Sequence, residues 1–205
     1  MTGYRVVNLK ILAEEIGEDT VNSILSDFSC PLNQDVEYFL HRKALEFAKH
    51  GWAQTHLVFA SYKNAWVLVG YFALANKYMR ISAKRLGKSS SSVRRRIAKF
   101  ATFDSSLKSY ILAAPLIAQL GKNYSNGYNE LITGDELLSE ACNKIKRMQI
   151  DMGGKFAYLE CEDKPKLIDF YSRNGFCEFD HRVLDGDETD KLDGRYLVQM
   201  LKYIK

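Results

Sequence analysis

One stretch, from Ala113 to Phe176, limits what this chain can fold into more than any other. It opens with an apolar run, Ala113 to Leu120, short enough for a buried strand. A polar segment rich in Asn, Gly and Tyr follows, from Gly121 to Ile132. Thr133 then stands three residues before Glu136, the spacing of a reciprocal capping box, and predicts a helix start. Leu137, Leu138, Ala141, Ile145 and Met148 recur at helical spacing and mark its apolar face. Gly153-Gly154 ends it. Phe156 to Cys161 reads as a second buried strand, and Asp163-Lys164-Pro165 as the start of another helix, with Asp as cap and Pro in the first turn. Leu167, Ile168, Phe170 and Tyr171 lie on that helix, Asn174-Gly175 closes it, and an extended strand resumes at Phe176. Strand, loop, helix, strand, helix, strand is an α/β (α+β) pattern.

These residues resemble the core of the GNAT-type N-acetyltransferases. The likeness is carried by Leu159-Glu160 and by the ending Leu167-Ile168-Asp169-Phe170-Tyr171-Ser172-Arg173-Asn174-Gly175-Phe176, chiefly Phe170-Tyr171 and Gly175-Phe176. The family's loop pattern, Q/R-x-x-G-x-G/A, falls on Asn129-Glu130-Leu131-Ile132-Thr133-Gly134. Only its last glycine is present; Asn129 replaces the Arg or Gln, and Ile132 the central glycine. The resemblance implies a mixed central sheet of about seven strands flanked by helices. It also implies acetyl-CoA as acyl donor, an amine-bearing acceptor and no metal. Backbone amides of Gln119, Leu120 and Gly121 would then hold the pantetheine arm and polarise the thioester carbonyl. Asn129 and the amides of Leu131, Ile132, Thr133, Gly134 and Asp135 would face the diphosphate, at a helix start suited to an anion. Tyr171 matches the family's tyrosine before Gly-Phe and would protonate the departing thiolate. A phenol of pKa about 10 suits a thiol of about 8.5. For the general base, Glu160 and His56 are the choices, and each has an ordinary structural reading as a paired or packed side chain.

The rest of the chain fits the same fold. Tyr4 to Leu9 predicts a first strand, Ile11 to Phe28 a helical pattern broken at Gly17, and Asp35 to His50 the strongest helix of the first half. Thr55 to Ser61 and Trp66 to Ala75 read as strands around a turn at Tyr62-Lys63-Asn64-Ala65. Arg195 to Ile204 reads as a last strand. A length of 205 residues at 46% hydrophobic content suits one domain over 1–205. No signal-peptide region opens the sequence and no run spans a membrane, so a cytoplasmic protein is expected. The four cysteines have no metal-like spacing; Cys142 and Cys161 fall in apolar elements and read as buried thiols.

Lys77 to Lys99 stands apart: it holds nine Lys and Arg and no acid, against a net +4 for the chain. It is either a solvated basic insert between two strands or a patch for RNA or another anionic partner. Residues 81–97 also resemble a helix-turn-helix, with Ala83, Gly87 and Val93 at its expected places. The alternative function is therefore a nucleic-acid-binding regulator with a degenerate transferase site. The acceptor is left among a small amine, a peptide and an aminoacyl-tRNA, and the early helix and strand (Asp35 to Leu40, Gly51 to Phe59) resemble the toxin branch that modifies aminoacyl-tRNA. A homodimer is common for such folds, though no residue here demands one. Asp180 to Asp193 is acidic and reads as a solvated hairpin loop, its spacing unlike a calcium loop.

Overall fold

The computed structural model describes residues 3–87, 89–186 and 194–205. The chain gathers into two compact units, Met1–Ala75 with Ile117–Asn143 and Asn76–Leu116 with Lys144–Lys205.

In the first unit, β1 (Arg5–Asn8) lies antiparallel to β2 (Gln54–Tyr62), with Arg5 opposite Phe59. Four short helices come between them: α1 (Leu9–Ile16), α2 (Glu18–Ser26), α3 (Gln34–Arg42) and α4 (Ala44–His50). Asn8 and Asn33 cap α1 and α3, each side chain accepting two otherwise orphaned amides. Gly17, at φ 84°, divides α1 from α2 as the sequence predicts. The helix expected over Asp35 to His50 is instead two helices with a break at Lys43. The amides of Lys43 and Phe47 bond to the Phe39 and Lys43 carbonyls at 2.9 Å, on either side of the break. The apolar stripe survives the bend: Val36, Phe39, Leu40, Ala44 and Ala48 are all buried.

The expected turn joins β2 to β3 (Ala65–Ser82), with Lys63 and Asn64 both left-handed (φ 48° and 63°), the pair a type I′ hairpin requires. Val58 faces Gly70 while Phe59 faces Leu68, so Val69 is an extra residue bulged from β3. That strand runs past Ala75, its expected end, because Met79 and Ile81 alternate into the second unit's core. The core of the first unit sets Phe28, Val36, Leu40, Leu57 and Tyr71 together under the helices.

In the second unit α5 (Ala83–Gly87) and α6 (Ser91–Phe100) lead into β4 (Thr102–Asp104), which folds back on β5 (Ser109–Lys122). This hairpin starts β5 earlier than the expected Ala113, and Asp104 Oδ1 fixes its turn by accepting the Ser106 and Leu107 amides. A three-residue strand is too short to leave a period in the sequence, and β4 has no sequence-level counterpart. A 3₁₀ turn (Ser125–Glu130) follows β5, then α7 (Gly134–Met152), β6 (Phe156–Glu162), α8 (Pro165–Arg173), β7 (Cys177–Val183) and β8 (Tyr196–Tyr203). β8 pairs antiparallel with both β6 and β7. The eight-stranded sheet has the order β1-β2-β3-β5-β6-β8-β7, with β4 on β5. The expected mixed α/β sheet is present, one strand larger than anticipated.

Asp163 does not cap α8. Lys164 holds that place with no side-chain bond to the helix amides, and Asp163 instead accepts the Tyr196 hydroxyl at 2.6 Å. The fixed φ of Pro165 in the first turn makes the start without it.

The basic insert begins inside β3, which holds Lys77 and Arg80, and continues through α5 and α6. Leu86 of α5 and Ile97 of α6 are buried, while Arg94, Arg95 and Lys99 are exposed. The helix-turn-helix is not formed: Ile81 and Ser82 belong to β3, and α5 is a single turn, too short to support a recognition helix. Lys88 and residues 187–193, the second half of the expected acidic loop, lie outside the described residues, while Asp180 to Val183 of that expected loop belong to β7. Among the described residues no helix is long and apolar enough to cross a membrane, and no cluster of ligands suits a metal ion. Cys142 and Cys161 are buried thiols as expected; Cys30 is buried too, and Cys177 is exposed.

Candidate active site

The end of β5 is pressed against the first turn of α3. A Cβ on Gly121 would run into the Val36 side chain and lie 3.5 Å from the Phe28 ring, so the close approach requires a glycine. Tyr71, fully buried, donates its hydroxyl to the Val36 carbonyl at 2.6 Å, and Gln119 Nε2 donates to Asp35 Oδ2 at 3.0 Å. Gln119, Leu120 and Gly121 are thus held in place by α3.

The next two residues organise the loop. Lys122 Nζ donates to the carbonyls of Asn129 (2.7 Å) and Ile132 (3.0 Å). Asn123, with no exposed surface, donates Nδ2 to the Leu68 carbonyl at 2.9 Å, beside the Val69 bulge. Its Oδ1 accepts the amides of Ser29 and Ser125, each at 3.0 Å, and its own amide bonds to Val69 O at 2.9 Å. Asn126 and Gly127 then turn in the left-handed region (φ 54° and 74°). Ile132 is 1% exposed and anchors the loop in the core.

The capping box forms as the sequence predicts. Glu136 Oε2 accepts the Thr133 amide and hydroxyl, both at 2.8 Å, and the Glu136 amide donates to Thr133 Oγ1 at 3.1 Å. The Thr133 amide, then its hydroxyl, holds the Glu136 carboxyl below the usual range. Tyr4 donates its hydroxyl to the Leu131 carbonyl at 3.1 Å; burial, then the Glu136 charge, pushes its phenol up to about 12. Of the amides expected at the diphosphate, that of Leu131 bonds to Tyr128 O. Those of Ile132 and Gly134 take no partner among the described residues. Asp135 is exposed in the first turn of α7. A helix start with open amides suits a diphosphate, and Lys122 braces it.

The second unit carries the expected acid. Tyr171 is half-buried on α8, its ring edge-on to Phe170 (4.9 Å) and Phe176 (6.1 Å). Gly175, at φ 81°, turns the chain so that the Phe176 amide bonds back to the Tyr171 carbonyl at 3.1 Å. The Tyr171 hydroxyl makes no hydrogen bond among the described residues. Burial first, and the Cys161 thiol second, push its pKa well above the ordinary phenol value. Glu160, on β6, accepts Arg182 Nε at 2.9 Å with one oxygen and Gln199 Nε2 at 2.8 Å with the other. His56 is 3% exposed, stacked on Phe72 at 5.0 Å, and reads as a packed core histidine.

Lys122, Asn123 and Tyr4 escaped sequence reasoning, because their partners lie on segments that no local spacing connects. The one available signal was the Lys-Asn pair closing a buried strand, where a polar side chain must find bonds.

No family model matches the chain, and no curated protein matches it. Solved structures do. AtaT complexed with acetyl-methionyl-tRNAfMet is 14% identical at a TM-score of 0.62, over 96% of this chain and 94% of that one. A tyrosine-to-phenylalanine mutant of KacT is 12% identical at 0.60, over 98% and 95%. AtaTR bound with acetyl-CoA is 14% identical at 0.53, over 95% and 91%. With its sheet order and a helix start placed after β5, this chain has the fold of the GNAT-type N-acetyltransferases.

Proposed function

We propose that the chain is an acetyl-CoA-dependent N-acetyltransferase acting on a primary amine, with aminoacyl-tRNA as the favoured acceptor. The observation that carries the reaction is Tyr171: a half-buried phenol on α8, four residues before Gly175-Phe176, whose hydroxyl takes no hydrogen-bond partner among the described residues. Acetyl-CoA supplies an activated acyl group as a thioester. The acceptor nitrogen forms the new amide bond as the carbon–sulfur bond breaks, and Tyr171 gives its proton to the departing sulfur. Amides of Gln119, Leu120 and Gly121 orient the donor, and the start of α7 with Asn129 to Asp135 takes its diphosphate. Glu160 remains the candidate for the proton lost by the amine, reached through water because Arg182 and Gln199 hold both of its oxygens.

Three observations support this reading. The fold is shared with a structure bound with acetyl-CoA and with one complexed with an acetylated aminoacyl-tRNA. A relative of the same fold was studied as a tyrosine-to-phenylalanine mutant. Arg94, Arg95 and Lys99 give α6 an exposed cationic face suited to a phosphate backbone.

Calorimetric titration with acetyl-CoA tests the donor, with Gly134→Glu beside the wild type. Wild-type binding that Gly134→Glu abolishes is expected; no wild-type binding would overturn the reading. Transfer of labelled acetyl to charged against uncharged tRNA tests the acceptor. Labelling of both alike, or of neither, sinks the aminoacyl-tRNA assignment.

A further inference from the structure

We propose that Asp35 anchors the acceptor's ammonium group: its unengaged carboxylate oxygen receives the amine at the end of β5, beside the place proposed for the donor's thioester. This rests on the reading above and deepens it.

Asp35 is a charge without a counter-ion. It stands half-buried in the first turn of α3, where Oδ2 accepts Gln119 Nε2 at 3.0 Å. Its other oxygen takes no hydrogen bond, and no Lys, Arg or His pairs with it, among the described residues. A carboxylate partly withdrawn from water and given one neutral donor still lacks a strong partner, and a cation is the partner that fits. Helix capping does not account for the charge, because Asn33 already accepts the amides of Asp35 (3.0 Å) and Val36 (3.3 Å). The next carboxylate on α3 serves structure instead. Glu37 accepts the Cys30 amide at 2.6 Å and the Ser29 hydroxyl at 3.2 Å, fastening the loop before the helix.

Position follows from the same contacts. Gln119 ties the carboxylate to a residue whose backbone amide is proposed to hold the donor. The Tyr71 hydroxyl on the Val36 carbonyl, and the close approach of Gly121 to Val36, keep the first turn of α3 against that strand end. A primary amine with a pKa of about 8 arrives at neutral pH largely as an ammonium ion. One of its N–H groups donates to Asp35, which sets the nitrogen beside the acyl carbon before it gives up a proton by the route described above. Asp35 is a positioning residue in this step, and it also reads charge. Acetylation converts the ammonium into a neutral amide, so the product loses the contact that held the acceptor.

Filter binding at fixed salt would compare charged tRNA with the same tRNA chemically acetylated on its aminoacyl nitrogen. Phosphate contacts are common to the two forms, so the ratio of their affinities isolates the ammonium group. Wild type should prefer the free amine by about tenfold, Asp35→Asn by less than about twofold, and Asp35→Glu by an intermediate factor. Acetyl-CoA affinity, read by calorimetry, should be the same in all three. In steady state Asp35→Asn should raise KM for charged tRNA about tenfold and leave kcat within about threefold. No preference in wild type, or an undiminished one in Asp35→Asn, overturns the anchor, while acetyl transfer to charged tRNA by the wild type leaves the acceptor reading standing. Loss of acetyl-CoA binding together with tRNA binding in Asp35→Asn marks a structural role and overturns it as well. If wild type binds neither form of the tRNA, the aminoacyl-tRNA assignment falls and the anchor falls with it.

Discussion

At Gly121 and Asn123 the candidate loop depends on two residues that do no chemistry. Alanine at Gly121 would place a methyl group inside the Val36 side chain. A loss of about 1–3 kcal/mol, read from the urea midpoint, is expected. Asn123→Ala strands the Ser29 and Ser125 amides and the Leu68 carbonyl, and should lose about 3 kcal/mol in the same measurement. Tyr171→Phe is the contrasting case. It should leave the urea midpoint and acetyl-CoA affinity near wild type while lowering the transfer rate about a hundredfold, checked by single-turnover assay. Of these residues the sequence marks Tyr171, through its place before Gly175-Phe176. The part of Ile132 is hidden: read in sequence it is a missing glycine, and in the fold it is an anchor that only three-dimensional burial reveals.

Among the elements, α7 shows how a local signal survives folding. Thr133 and Glu136 are three residues apart, their bonds need nothing from the rest of the chain, and the cap forms as read. Its contribution depends on pH with a definite sign. The Thr133 amide and hydroxyl lower the Glu136 pKa in the folded state, so the native protein binds that proton less tightly than the unfolded chain. The carboxylate's contribution is therefore complete above its ordinary value of about 4.3 and disappears as pH falls through the lower folded one. Melting curves of wild type and Glu136→Gln should converge below about pH 4. Asp163 is the opposite lesson: its position before Pro165 reads as a cap, but a tyrosine on β8 claims the carboxylate first. Breaks such as Lys43 escape sequence reading because the apolar stripe continues through them, and the period alone carries no sign of the bend.

For the whole molecule, charge and thiol placement give the clearest readouts. The net +4 conceals a basic segment set against an acidic remainder. If α6 meets RNA, Arg94→Glu with Arg95→Glu should weaken binding on the order of tenfold or more. The salt dependence should flatten by roughly one unit of slope for each phosphate left without its cation. A filter-binding series at several salt concentrations checks both. The α/β class was legible here from the alternation of elements, whereas the extra length of β3 and β5 was not, since their hydrophobic alternation is diluted by lysine, arginine and tyrosine. The cysteines give the molecule an internal counter of its own integrity. Burial suppresses ionisation at Cys30 and Cys161, the latter pushed up to about 11, and Cys142 is enclosed as well. A thiol reagent added to the native protein should therefore consume one equivalent, at Cys177, and reach four only as the chain unfolds. Six positions beyond Tyr171, that same thiol is a single attachment point for a fluorophore with which the proposed donor binding can be tested.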